Sequence, residues 1–232
     1  MTFNEKILEK IDKINQEVNS NLIISGFTGL LAPAFNSVFT TRALNLFKIN
    51  LKQLEEEIKT FSKKVNNERY DKDFLESDEF TSLVLNIISL NGRTHEKEKI
   101  KYFAIILVNS STIKFSKLPY KEGFINIIDE LSIYHINILS TITNKHKQFT
   151  VEDINSGKAY VSTKEIAKAH SISEGLAIAY CTHLIKAGLL REWDKQDGWH
   201  GGGVVKGNES INLLKTEYCN DFCKFLELQV EQ

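Results

Sequence analysis

Proline is almost missing from this chain, occurring at Pro33 and Pro119 alone, and so few helix breakers leave room for long uninterrupted helices. Cysteine is scarce too. Cys181, Cys219 and Cys223 are an odd number without the close pairing of a small disulfide-stapled secreted domain, so they read as reduced thiols in a cytoplasm. Neither sign of charge prevails: 29 Lys and Arg stand against 30 Asp and Glu, for a formal net charge of -1. Nothing in that balance advertises nucleic acid or an anionic membrane as a general partner, and any such contact must come from a local patch. Residues 1–17 are charged and amphipathic and lack the short basic segment and apolar run of a secretory signal. A soluble, cytoplasmic protein is expected, and 232 residues at 42% hydrophobic suit one large domain or two small ones.

Catalytic signatures are lacking as well. His95 and Glu96 begin a zinc-protease-like helix pattern, but Lys99 stands where the second His belongs. Cys219 and Cys223, with His183 and His200 as conceivable further ligands, lack the closer Cys pairs and four obvious ligands of a zinc site. Gly201, Gly202, Gly203 and Lys206 miss both the spacing of a phosphate loop and its Ser or Thr after Lys. No Gly-x-Ser-x-Gly elbow occurs. The expectation is a protein that is not an enzyme, with no metal and no cofactor.

What is present is helical periodicity. Ile7, Ile11, Ile14 and Val18 recur at steps of four and three, predicting a first helix to about Val18. Residues 19–41 then carry no charge before Arg42, and Gly26, Gly29 and Pro33 interrupt their apolar content. Ser25, Thr28, Asn36 and Ser37 dilute the run below that of a typical spanning helix of roughly 20 apolar residues. It reads as a buried hairpin tip or interface segment, with membrane insertion as the alternative. The clearest periodicity follows: Leu44, Phe47, Leu51, Leu54, Ile58, Phe61 and Val65 alternate strictly by three and four. This is a seam either for antiparallel pairing with the first helix or for a second copy of the chain.

Beyond a polar, acidic stretch over residues 66–79, Ser77 caps a helix with Phe80, Leu83, Val84, Ile87 and Ile88 on its apolar face, expected to stop at Asn91 and Gly92. Thr94 is expected to cap another, with Ile100, Phe103, Ala104 and Leu107 facing inward. Short helices follow around 124–131 and, capped by Ser132, over 133–144.

From about Tyr160 the pattern changes. Ser162 caps a short helix, His170 and Ser171 turn the chain, and Ser173 caps a longer helix that Gly188 ends. Strands are expected at Leu189, Leu190 and Trp193 and again over 211–214, joined through a Gly-rich turn with Trp199 and His200 as contact candidates at its tip. Thr216 caps a last helix. Helix, turn, helix and a two-stranded wing is the winged-helix arrangement. The fold class expected is therefore mainly α: an N-terminal helical bundle over residues 1–149, carrying the heptad helix, and a winged-helix-like module over 150–232 with a small β-wing.

The second helix of that module is a poor reader of bases. It offers Glu174, Gly175, Ile178, Thr182 and His183 where Arg, Lys, Asn or Gln would serve, and its apolar middle predicts burial on all sides. From Thr150 onward nine Lys and Arg face twelve Asp and Glu, a balance that repels phosphate. A non-enzymatic interaction protein, bound to a protein partner or a second copy through Leu44, Phe47, Leu51, Leu54, Ile58, Phe61, Trp199 and His200, is the leading expectation. A DNA-binding regulator using Lys164, Lys168, Lys186 and Arg191, and a membrane-active effector using residues 19–41, are the alternatives.

Several pieces of the chain resemble bacterial proteins of the abortive-infection alpha type, which are encoded near phage-defence or prophage genes. They are the Gly- and Pro-containing segment 26–39 running into the heptad helix, Ser77-Asp78-Glu79-Phe80, the run from His95 through Ala104, that from Leu131 through Leu139, and the winged-helix tail. The resemblance implies an accessory or sensing role in defence and carries over no site residues.

Overall fold

The computed structural model describes residues 5, 9, 12–13, 38–65, 69–155, 159–193 and 210–226. The chain is mainly helical with one small three-stranded antiparallel sheet. It divides into two compact units, residues 1–129 with 225–232, and residues 130–224.

In the first unit, Glu5, Glu9, Asp12 and Lys13 are helical and exposed, as the polar face of the expected first helix requires. Helix α1 (Val38–Ser62) carries the heptad pattern. Leu51, Leu54, Ile58 and Phe61 are all buried, and the elements that cover them are α3 (Asp78–Arg93) and α4 (Lys97–Ser110). Phe80, Leu83 and Ile87 from α3 and Ile100, Phe103 and Leu107 from α4 complete this core. Each such side chain removed from water contributes about 1.5–3 kcal/mol. Between α1 and α3 lies the short helix α2 (Lys72–Glu76), which the acidic stretch had concealed and which Asp71 caps through the Phe74 amide.

Asn91 and Gly92 do not stop α3, which runs on to Arg93 with Thr94 as its cap. Thr94 therefore ends one helix, and Glu96 stands at the start of the next without a side-chain cap. A glycine inside a helix costs about 1 kcal/mol relative to alanine, and at Gly92 the gain is space. A Cβ there would lie 2.2 Å from Cδ2 of Phe47 on α1. The buried Asn50 amide fixes the same junction, donating to the carbonyls of Asn91 and Thr94 at 2.9 Å each.

Residues 111–120 are fastened to residues 69–71 by Asp71 N–H to Ser111 O and Ile113 N–H to Arg69 O. The Ser116 hydroxyl donates to Asp71 Oδ2 at 2.6 Å and, with the Phe74 amide, holds that carboxyl below its ordinary range. Helix α5 (Lys121–Glu130) opens on Lys121, which is buried. Its ammonium donates to the Ser116 carbonyl, sits 2.8 Å from Glu79 Oε1 and lies 4.4 Å from the Phe74 ring centre. Phe225, which groups with this unit, packs edge-on to Phe115 and tilted against Phe124, and its carbonyl accepts from the Asn109 amide.

The second unit begins with α6 (Ile133–His146) and the short α7 (Val151–Asn155). Strand β1 (Val161–Ser162) leads into α8 (Thr163–His170), α9 (Glu174–Lys186), β2 (Leu190–Glu192), β3 (Asn212–Lys215) and α10 (Glu217–Leu226). The sheet order is β1-β3-β2, with Val161 opposite Leu213 and Arg191 opposite Leu214. The local signals sit where the sequence predicts them. Ser162 and Glu165 form a capping box, Ser173 accepts from the Leu176 amide, and Thr216 accepts from the Cys219 amide. Ser171 turns the chain in the left-handed region at φ 53°, and Gly188 ends α9 at φ 74° with Leu189 N–H returning to Leu184 O. Strand β1 was not expected; two residues before a capped helix carry no alternation to read.

Replacing Gly92 with Ala should destabilise the chain by about 1–3 kcal/mol in denaturant unfolding, although alanine is the better helix former. Adding Phe47→Leu should recover most of the loss, and a stabilised Gly92→Ala chain would mean that the α1–α3 approach is not tight.

Candidate interaction surface

Within the second unit α9 packs on α6, α8 and β2. The burial expected on all its sides is not observed. Only Ala177, Cys181 and Leu184 are buried, and their spacing of four and three defines one narrow inward stripe. The opposite stripe, at the same kind of spacing, is Gly175, Ala179, Thr182 and Lys186. Gly175, Ala179 and Lys186 are exposed, and a Cβ placed on Gly175 would meet no atom within 4 Å. Leu176 beside them is 43% exposed. The helix is apolar all round because small residues, which do not need burial, make up its outer face.

Between these stripes α9 turns a third face to α6. Tyr180 stacks on Tyr134 with ring centres 6.0 Å apart, and Tyr134 is 59% exposed. The buried His135 ring meets both Tyr180 and His183 edge-on at 4.7 Å. His135 Nδ1 lies 3.1 Å from the backbone nitrogen of Ser132 and 2.7 Å from its hydroxyl, while Nε2 lies 3.1 Å from His183 Nδ1. A backbone N–H can only donate, so Nδ1 of His135 is the bare nitrogen and its proton is on Nε2. That proton points at His183 Nδ1, which places the proton of His183 on its own Nε2. Sequence reading did not join these rings, which lie 48 residues apart. The one local signal is His135 three residues after a capping Ser132, where a capping box normally holds Glu or Gln.

The four cations named from the sequence are exposed: Lys164 and Lys168 on α8, Lys186 at the end of α9 and Arg191 on β2. Glu165 offsets part of this charge, although Lys145 engages it at 2.7 Å. Of the seam residues, Leu51, Leu54, Ile58 and Phe61 are occupied within the first unit. Phe47 is half-buried, and the side chain of Leu44 lies outside the described residues. Trp199, His200 and residues 19–37 also lie outside them.

Two of the three thiols are poor nucleophiles. Burial pushes Cys181 up to about 12, and Cys219 is raised by its contact with Cys223, whose sulfur is 3.9 Å away, and by burial. Among the described residues no group of three or more His, Cys, Asp or Glu side chains could hold a metal ion, and no helix is long and apolar enough to cross a membrane. The Ser132–His135–His183 chain superficially resembles a nucleophile with its base. The Ser132 side chain and His135 ring, however, form the reciprocal cap of α6.

No protein-family model matches the chain, and neither a curated protein nor a solved structure matches it.

Long-range proton–nitrogen NMR at neutral pH should find both His135 and His183 carrying their proton on Nε2. A proton on Nδ1 of His135 would break the hydrogen-bond order that runs from Ser132 to His183.

Proposed function

We propose that the second unit is a winged-helix module used to bind protein, and that the chain is a non-enzymatic interaction component. The order α6, β1, α8, α9, β2, β3 supports the winged-helix reading. In it α8 and α9 form the helix-turn-helix, and the β2–β3 pair, extended among the described residues by Trp193 N–H to Asn212 O at 2.8 Å, forms the base of the wing. The observation that carries the functional reading is the outer stripe of α9. In a base-reading module this stripe would face the major groove with Arg, Lys, Asn or Gln. Here it presents Gly175, Ala179 and Thr182, with Lys186 at its end and Leu176 at its side. Small and apolar side chains with the neighbouring Tyr134–Tyr180 pair suit a protein surface, where tyrosine commonly anchors binding.

One observation favours the regulator reading, namely that Lys164, Lys168, Lys186 and Arg191 all reach solvent. Phosphate contacts alone would give binding without sequence choice. The resemblance to abortive-infection alpha proteins supplies phage defence as the setting in which such a partner would be met.

Purified from its own host, the full chain should carry a stoichiometric protein partner or a second copy. Ala179→Asp or Leu176→Asp should remove it with helix content unchanged in circular dichroism. Light scattering should give the same mass with and without duplex DNA. Mass gained on DNA at low salt, shed at high salt and abolished by Lys164→Ala with Lys168→Ala would replace this reading with the regulator.

A further inference from the structure

Apart from His95, every described histidine makes its contact on helix α6. His135 and His146 belong to it, His183 Nδ1 meets His135, and His170 Nε2 lies 2.9 Å from Thr141 Oγ1. In the His135–His183 contact the Ser132 N–H and hydroxyl meet Nδ1 of His135, and Nε2 of His135 meets Nδ1 of His183 at 3.1 Å, so the pair joins the start of α6 to α9.

We propose that the His135–His183 contact and His146 form a clasp that holds α6 against α9 and β3, and that acidification opens it at His146, making α6 the pH-responsive element of the second unit. His146 adds to the clasp at the other end of the helix. Its ring bonds the backbone of Leu213 on β3, and its Nε2 is buried without a partner. Burial, and then the charge of Lys215, push its pKa down to about 4 against the pull of Leu213.

Among the described residues, no carboxylate lowers the cost of charging His146. Around the pair are the phenols of Tyr134 and Tyr180 and, one turn along α9, the exposed Lys186. On α8 the carboxylate of Glu165 is engaged by Lys145. Beside His146 in sequence are Lys145 on α6 and Lys147 just past its end, Lys215 lies on β3, and α10, which reaches α6 where the Cys223 thiol lies 3.5 Å from Thr143, carries Glu217, Asp221, Lys224 and Cys219. Among the described residues, the charge that acts on His146 is that of Lys215. His170 is outside the clasp, its Nε2 meeting only the Thr141 hydroxyl in the contacts described.

The sign of the effect follows from linkage. Released histidines titrate near 6.5, above the folded value of about 4 for His146, so the unfolded state takes up protons first. Stability in place above about pH 6.5 is therefore lost as the pH falls toward 4. His146 alone gives about a tenfold loss of α6 amide protection between about pH 7.5 and about pH 5.5.

Hydrogen exchange on the full chain, corrected for intrinsic rates, tests this. The expected result is that loss in α6, with α1, α3 and α4 unchanged, its retention in His170→Gln and in His183→Gln, and its disappearance in the double variant His146→Leu with His183→Gln. Unchanged α6 protection, equal loss in every helix, or persistence of the response in the double variant would overturn the proposal. Should that variant fail to fold, NMR titration of the wild-type His146 ring decides, and a midpoint at or above the ordinary histidine value overturns it. None of these readouts depends on a binding partner, so the proposal stands or falls separately from the interaction reading.

Discussion

The placement of α9 depends on one narrow interaction, the burial of Ala177, Cys181 and Leu184 along a single stripe. Those three side chains set the rotation of the helix about its axis. Once it is set, Tyr180 and His183 must meet α6, and Gly175, Ala179, Thr182 and Lys186 must look outward. Neither the histidine pair nor the small-residue outer face could be moved without turning the helix and exposing its anchors. The same fixing explains why so weakly amphipathic a helix is nevertheless placed. Three buried residues contribute a few kcal/mol, and the Ser173 cap about 1 kcal/mol more.

Helix α1 solves a related problem in the opposite way. Its apolar stripe is long and strict, and it is filled from two sides by α3 and α4. The large aromatic and aliphatic residues there interlock where backbone space permits, and Gly92 provides that space opposite Phe47. The buried ammonium of Lys121 is tolerated for a comparable reason. It has a carboxylate, a carbonyl and an aromatic face to replace water.

Most of what was legible in the sequence was local. Ser77, Ser162, Ser173, Thr216 and Gly188 act within a turn of where they stand, so a short window holds the whole cause. Periodicity showed that Leu51, Leu54, Ile58 and Phe61 share a buried face but not which helix covers it, because an apolar stripe is blind to its partner. Gly92 misled for the complementary reason. Its role lies in a contact with Phe47, not in its own backbone angles. For α9, counting apolar residues overstated burial, since Gly and Ala satisfy a hydrophobic pattern without needing to leave water. The His135–His183 contact spans 48 residues and exists only because two helices cross there, so no spacing could have announced it.

The Thr216 hydroxyl couples two elements that sequence distance would separate. It donates to the Gly188 carbonyl at 2.7 Å, ending α9, and accepts from the Cys219 amide at 2.9 Å, starting α10. One atom thus closes a stretch of 28 residues. In evolutionary terms the bond constrains the hydroxyl at 216, whereas the carbonyl at 188 is backbone and the demand for glycine there comes from its φ of 74°. The connection between β2 and β3 lies inside that closure, so its sequence is free to diverge without disturbing either helix end.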